Sequence, residues 1–171
     1  MGYQLTQALV GIGSSRDRAA LRTALVGVYD KMSSQTLTTA GLVIKGATTK
    51  VAKTGAAVTY YMTNGRLGSI AAATDMPALA GTVTNAKFNV FSIFVDVAGT
   101  VSTAMGTEAA TLGGVIFPAQ PIKTAILGFI IINPTGTGNF VGGTTNLDDA
   151  TVAPNAVYVS IVGGFDPTSL T

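Results

Sequence analysis

The period of apolar positions changes once along the chain. Across residues 14–34, Leu21, Leu25, Val28 and Met32 recur at spacings of four, three and four. That repeat draws one apolar stripe down an α-helix. Ala19, Ala20 and Ala24 add helix propensity. Ser14 or Ser15 is placed to cap the start, with Asp17 in the first turn and Lys31 near the end, each matched to the helix dipole. The stripe covers about two heptads, too short for an independent coiled coil. Packing against its own domain and packing in an oligomer are both open for this helix.

From about residue 36 the helical period stops. Short apolar runs rich in Thr, Val, Ala and Gly alternate with turn residues. The runs predict strands at 42–45, 49–53, 57–63, 69–73, 88–97, 101–104, 114–117, 125–132 and 156–162. Asn64-Gly65 separates two of them and predicts a hairpin turn. In 88–97, Ile93, Val95 and Val97 should face one way, and Phe94 and Asp96 the other. Segment 74–86 reads as a loop, with one helical turn near Pro77–Ala80. No second amphipathic helix follows to support α/β alternation. The expected fold is mainly β: a β-sandwich or jelly-roll-like domain over 36–171, preceded by an N-terminal arm and one amphipathic helix over 1–35.

Composition narrows the chemistry. The chain has no His, Cys or Trp in 171 residues, and Glu108 is its only glutamate. Ser-His-Asp and Cys-His catalytic arrangements are excluded outright, as are disulfides and Cys-type zinc sites. The expectation is a protein that is not an enzyme and needs no cofactor. Charged residues are only 11% of the chain, and mean hydropathy is +0.48. Yet the most apolar stretch, Ile126–Ile132, is far too short to span a membrane as a helix. A chain with few charges exposes apolar or weakly polar surface, and large patches of that kind mark interfaces. This favours an oligomer over a monomer with a Thr/Ser/Asn/Gly surface.

Charge is also uneven. Residues 1–66 carry eight basic residues against Asp17 and Asp30, a net +6, and residues 67–171 carry Lys87 and Lys123 against six acids, a net −4. The front half could therefore dock on an acidic partner. Its cations are sparse and lack interleaved aromatics, so no specific nucleic-acid recognition is expected. Arg16, Arg18 and Arg22, with Leu21, Leu25 and Met32, are the candidate partner contacts.

The remaining motifs each have a simpler reading. Gly11 and Gly13 before the helix suggest a dinucleotide loop, but position 16 is Arg and no βαβ unit follows. Gly2 and Thr6 fit a myristoylation pattern, taken as coincidence. Residues 1–13 lack the positive start of a secretory signal and read as an arm or strand packing on a neighbour. Asp148-Asp149, near Asn146, could bind Ca²⁺ but lacks EF-hand spacing, so a turn role is favoured. The glycine-rich run from Gly136 has no Lys or Arg after it, which disfavours phosphate binding. Phe88, Phe91 and Phe94 read as core. Of Tyr60 and Tyr61, one should face outward.

The C-terminal third resembles β-domains of tailed-bacteriophage virion proteins. The residues that carry the resemblance are Phe140-Val141-Gly142-Gly143-Thr144-Thr145-Asn146-Leu147-Asp148 and Val157-Tyr158-Val159-Ser160-Ile161-Val162-Gly163-Gly164-Phe165-Asp166-Pro167. The Thr/Ala/Gly/Val-rich composition from residue 36 onward is similar to that of head decoration and head-fibre proteins. The resemblance covers about the last two-thirds of the chain. It implies a subunit located in the virion and assembled in the bacterial cytoplasm. Its expected partners are further copies of itself, with a trimer favoured, and a major capsid protein or other virion protein, with no membrane involved. It carries over no catalytic residues. A surface or fibre β-sandwich recognising glycans is the alternative.

Overall fold

The computed structural model describes residues 15–63 and 65–165. Among the described residues, helix α1 (Ser15–Ser33) leads into eleven strands: β1 (Gln35–Thr36), β2 (Leu42–Ile44), β3 (Ala52–Thr54), β4 (Val58–Tyr61), β5 (Leu67–Ile70), β6 (Thr82–Val83), β7 (Asn89–Asp96), β8 (Val101–Met105), β9 (Thr124–Ile132), β10 (Phe140–Val141) and β11 (Val157–Ser160). A 3₁₀ turn lies at Leu112–Gly114. The fold is mainly β, built from several antiparallel sheets in a sandwich-like domain with the helix near its N-terminus.

The largest sheet has the order β11-β9-β7-β8, a second has β1-β4-β5, and β2-β3 and β10-β6 form two-stranded pairs. Strands β7 and β9 are the axis, paired from Asn89↔Ile132 to Asp96↔Thr124. The register shifts between Ile93↔Gly128 and Phe94↔Ile126. Leu127 is thus an extra residue, a β-bulge that lets both Ala125 and Leu127 join Ile130 and Ile132 in the main core. From β7, Phe91, Ile93 and Val95 point into that core. They share it with Val58 and Tyr60 of the second sheet, with Met62 just beyond β4, and with Leu79, Val83 and Phe140.

Alternation within β7 follows the sequence expectation, but both of its faces are covered. Val90, Ser92 and Phe94 are buried as well. The segment after β8 returns over that face: Gly106 N–H donates to Val90 O (2.8 Å) and Thr107 N–H to Ile116 O (2.8 Å). The Phe117 ring packs edge-on to Phe129, centroids 5.1 Å apart. The 114–117 run predicted as a strand is therefore a cover. It forms the end of the 3₁₀ turn and the single bridge Thr107↔Ile116. Gly113 and Gly114 break the run, and Ile116 points to solvent.

Three further expectations are corrected. No helical turn forms at 77–80, and Met76 and Leu79 bury in the core. Segment 74–86 instead contains β6, which pairs with β10 at Val83↔Phe140. The predicted 49–53 and 69–73 strands slide to Ala52–Thr54 and Leu67–Ile70. The β4–β5 hairpin closes as expected, with Met62 N–H donating to Arg66 O (2.9 Å) and Gly65 at φ 80°. Asn64 of that turn, Gly2, Gly11, Gly13 and the capping candidate Ser14 lie outside the described residues. Directly opposite Tyr60 in the hairpin sits Gly68, where any Cβ would enter the Tyr60 ring.

Candidate assembly surface

The helix is fastened to the domain at one end. Asp30, 5% exposed, is the fastener. Its carboxylate accepts from the Thr63 hydroxyl and from the Lys123 backbone N–H. Ser34 extends the contact, its hydroxyl 2.7 Å from that of Thr63. Lys123 has φ 61°, a left-handed conformation rare outside glycine. A buried carboxylate is tolerated only when hydrogen-bonded, and bonds to a charged acceptor are the stronger kind. Beside this anchor lies a mostly apolar cleft of about 320 Å³ between Val26 of the helix and Met62, Val97 and Ile122 of the domain.

Away from the anchor the helix is uncovered. Residues 17–24 are all exposed. Of the sequence-predicted contacts, Leu21, Arg18 and Arg22 are exposed, Leu25 is half-buried, and Met32 is 72% exposed. Val28 on the same stripe is 54% exposed. Arg16 lies in α1, and its side chain is outside the described residues. The structure therefore brings Leu21, Leu25 and Met32 onto one face, with Leu21 and Met32 open to solvent and Leu25 half-buried. Among the described residues, nothing of the domain buries Leu21, Val28 or Met32. Sequence reading missed the cause, Asp30. The one signal was an acid near the helix C-terminus, where the dipole disfavours negative charge.

Other candidate chemistry is absorbed by local structure. Asp148 accepts from Thr48 N–H (2.8 Å). Asp149 Oδ1 accepts from the Thr151 N–H (2.9 Å), the Thr151 hydroxyl (2.7 Å) and Val152 N–H (3.1 Å). The Thr151 hydroxyl first, then the two N–H groups, hold its carboxyl below the usual carboxylate range. Both acids are turn-builders. Among the described residues no three acids gather where a metal ion could sit. Glu108 accepts from Thr84 N–H (2.8 Å) and the Thr84 hydroxyl (2.9 Å). These bonds, the N–H first, lower its pKa, helped by Lys87.

Tyr60 is buried and Tyr61 half-buried, so Tyr61 is the outward member of the pair. Tyr60 lines a polar cleft of about 330 Å³ with Arg66, Ser69 and Gly99. Burial raises the Tyr60 pKa, with Arg66 opposing and Asp96 adding. Phe91 is core, edge-on to Phe140 at 6.0 Å. Among the described residues, no helix is long and apolar enough to cross a membrane. Comparison with protein-family models, curated proteins and solved structures finds no match to this chain.

Proposed function

We propose that the chain is a non-enzymatic structural subunit of a virus particle, a capsid decoration or cement protein that oligomerises and binds the capsid lattice. The observation that carries the assembly part is the apolar helix face held away from its own domain by Asp30. A helix of 19 residues with little packing is marginal in water. Covering its apolar side by a neighbour is the physical way to hold it. The low charge supports the same reading, since only 11% of residues are charged. The virion location rests on the resemblance of the 140–148 and 157–167 segments to phage virion β-domains.

In this mechanism the β-domain is the rigid body and the helix the connector. Arg18 and Arg22 flank the apolar face and suit an acidic neighbour. Light scattering on the full chain is expected to show a discrete closed oligomer. Cosedimentation with particles of the virus encoding it is expected to bring the chain down in fixed ratio. A chain that neither self-assembles nor pellets with particles overturns the proposal.

A further inference from the structure

The run 125–132 (AILGFIII) is apolar without alternation. A strand with that pattern is one that is buried on both faces. In β9 one face meets the demand: Ala125, Leu127, Ile130 and Ile132 lie in the main core. On the other face Ile126 is buried, but Phe129 and Ile131 are only half-buried. The neighbouring edge strand β11 repeats the contrast. Tyr158, opposite Ile130, packs on the core. Val159, opposite Phe129, is half-buried, and Val157, opposite Ile131, is 48% exposed. The segment that covers the β7 half of this face ends at Phe117. Its ring lies edge-on to Phe129 and, at 6.1 Å, to Phe165. Phe129 and Phe165 are stacked at 6.2 Å. Three of the seven phenylalanines thus meet where the cover stops, each of them half-buried. Among the described residues, nothing completes the burial from there to Val157.

Charge decides what suits this face. Segments 109–122, 124–147 and 150–165, which build and flank it, carry no Asp, Glu, Lys or Arg. Lys123, the nearest charge along the chain to Phe129, is six residues away, about 20 Å at about 3.3 Å per strand residue. An acidic or basic partner would lose the hydration of its charges here and gain no pair in return. A copy of the same face is matched in apolarity and sets no like charge opposite another. Residues 166–171 hold Asp166 and three hydroxyl side chains, a poor match for an apolar face. Clustered aromatic side chains with no charge among them are the composition of an interface core. One patch meeting itself about a two-fold axis is the commonest closed arrangement of identical chains.

We infer that the outer face of β9 and β11 is where the chain meets a second copy of itself, face to face about a two-fold axis. Phe117, Phe129 and Phe165 form the centre of the contact, and Val157 lies at its rim. The second copy supplies the layer that β9 lacks within one chain. This rests on the assembly reading above and names the contact between copies, leaving the helix stripe for the lattice neighbour.

The test is the native mass of full-length variants by light scattering. Val157→Lys places a charge at the rim of the face and is expected to weaken association about tenfold or more, with the urea midpoint retained. Val157→Thr keeps the β-branched shape that suits a strand and should weaken it less. Phe165→Ala should act in the same direction as Val157→Lys. Leu21→Lys, on the exposed helix stripe, is expected to leave the mass unchanged. Raising salt from about 0.1 M to about 1 M should not dissociate an uncharged contact. Unchanged mass for Val157→Lys, loss of mass for Leu21→Lys, or dissociation by salt overturns the inference and moves the assembly to another surface. A Val157→Lys chain that keeps its mass but no longer pellets with particles assigns the face to the particle instead. A monomeric wild type whose mass rises when 1–13 or 166–171 is deleted assigns it to the chain's own end. A wild-type chain that is monomeric yet pellets with particles overturns the inference alone. One that does neither removes the functional reading as well.

Discussion

Strand β7 and helix α1 are opposite cases of burial in one chain. In β7 every residue from Asn89 to Val95 is buried. In α1 every residue from 17 to 24 is exposed. β7 gets its partners from its own chain: β8 and β9 at its edges, the second sheet on one face and the 106–120 segment on the other. In α1, among the described residues, Asp30 is the buried side chain that holds it. The strand is complete within the monomer, whereas among the described residues no surface buries Leu21, Val28 and Met32 of the helix stripe. Residues of the same hydrophobicity thus stabilise the fold in one region and remain available for association in the other.

The contrast predicts its own stability map. Phe91→Ala removes a fully buried ring edge-on to Phe140. It is expected to cost about 3–5 kcal/mol in urea unfolding. Met32→Ala, on the exposed stripe, should stay within about 0.5 kcal/mol when measured below the association concentration. Similar losses at both sites would erase the distinction between the two regions.

Next in size is the joint between them. Asp30→Ala leaves the Lys123 N–H and the Thr63 hydroxyl without their carboxylate. An unsatisfied buried donor costs about 1–3 kcal/mol. The expected readout is local: faster hydrogen exchange and proteolysis within 15–33, with protection in β7 and β9 retained. Global loss of protection would mean that the helix is part of the core after all. Inside the second sheet, Gly68→Ala should cost about 1–3 kcal/mol by displacing the Tyr60 ring. Its cost falls on the domain alone, leaving helix exchange unchanged.

The smallest effects are electrostatic and belong to the β-domain. Burial, with Asp148 adding, pushes the Tyr158 hydroxyl up to about 12 from its ordinary 10.0. Its folded pKa is raised, so the associated stability is complete below pH 10 and is lost as pH rises from 10 through about 12. The Tyr158 hydroxyl is buried without a hydrogen-bond partner. Tyr158→Phe should therefore be neutral or stabilising at pH 7 and should remove that alkaline loss. Glu108 and Asp149 have lowered pKa values. Their contribution is present above about pH 4 and fades as pH falls through the folded values. Glu108→Gln and Asp149→Asn should each flatten the acid limb of stability against pH. None of these three variants is expected to alter the native mass, and a change in mass would extend the association surface of the β-domain to them.

Much of this was legible in the residues themselves. Leu21, Leu25, Val28 and Met32 specify a helix with one apolar face because side-chain direction in a helix follows from local geometry. The β-branched runs at 88–97 and 125–132 specify β7 and β9 almost to their ends, because strand preference and alternation are local too. The absence of His and Cys excluded whole classes of catalysis before any coordinates. What the chain could not show in one dimension was pairing at a distance. Strands β6 and β10 are two residues each and exist only because Val83 meets Phe140. The 114–117 run lost its strand to a covering role over Val90 and Phe129. The direction of the helix stripe was decided by Asp30 finding Thr63 and Lys123, 33 and 93 residues away in sequence. Period and propensity arise between neighbours and can be read along a chain; which face meets the core depends on contacts that only folding brings together.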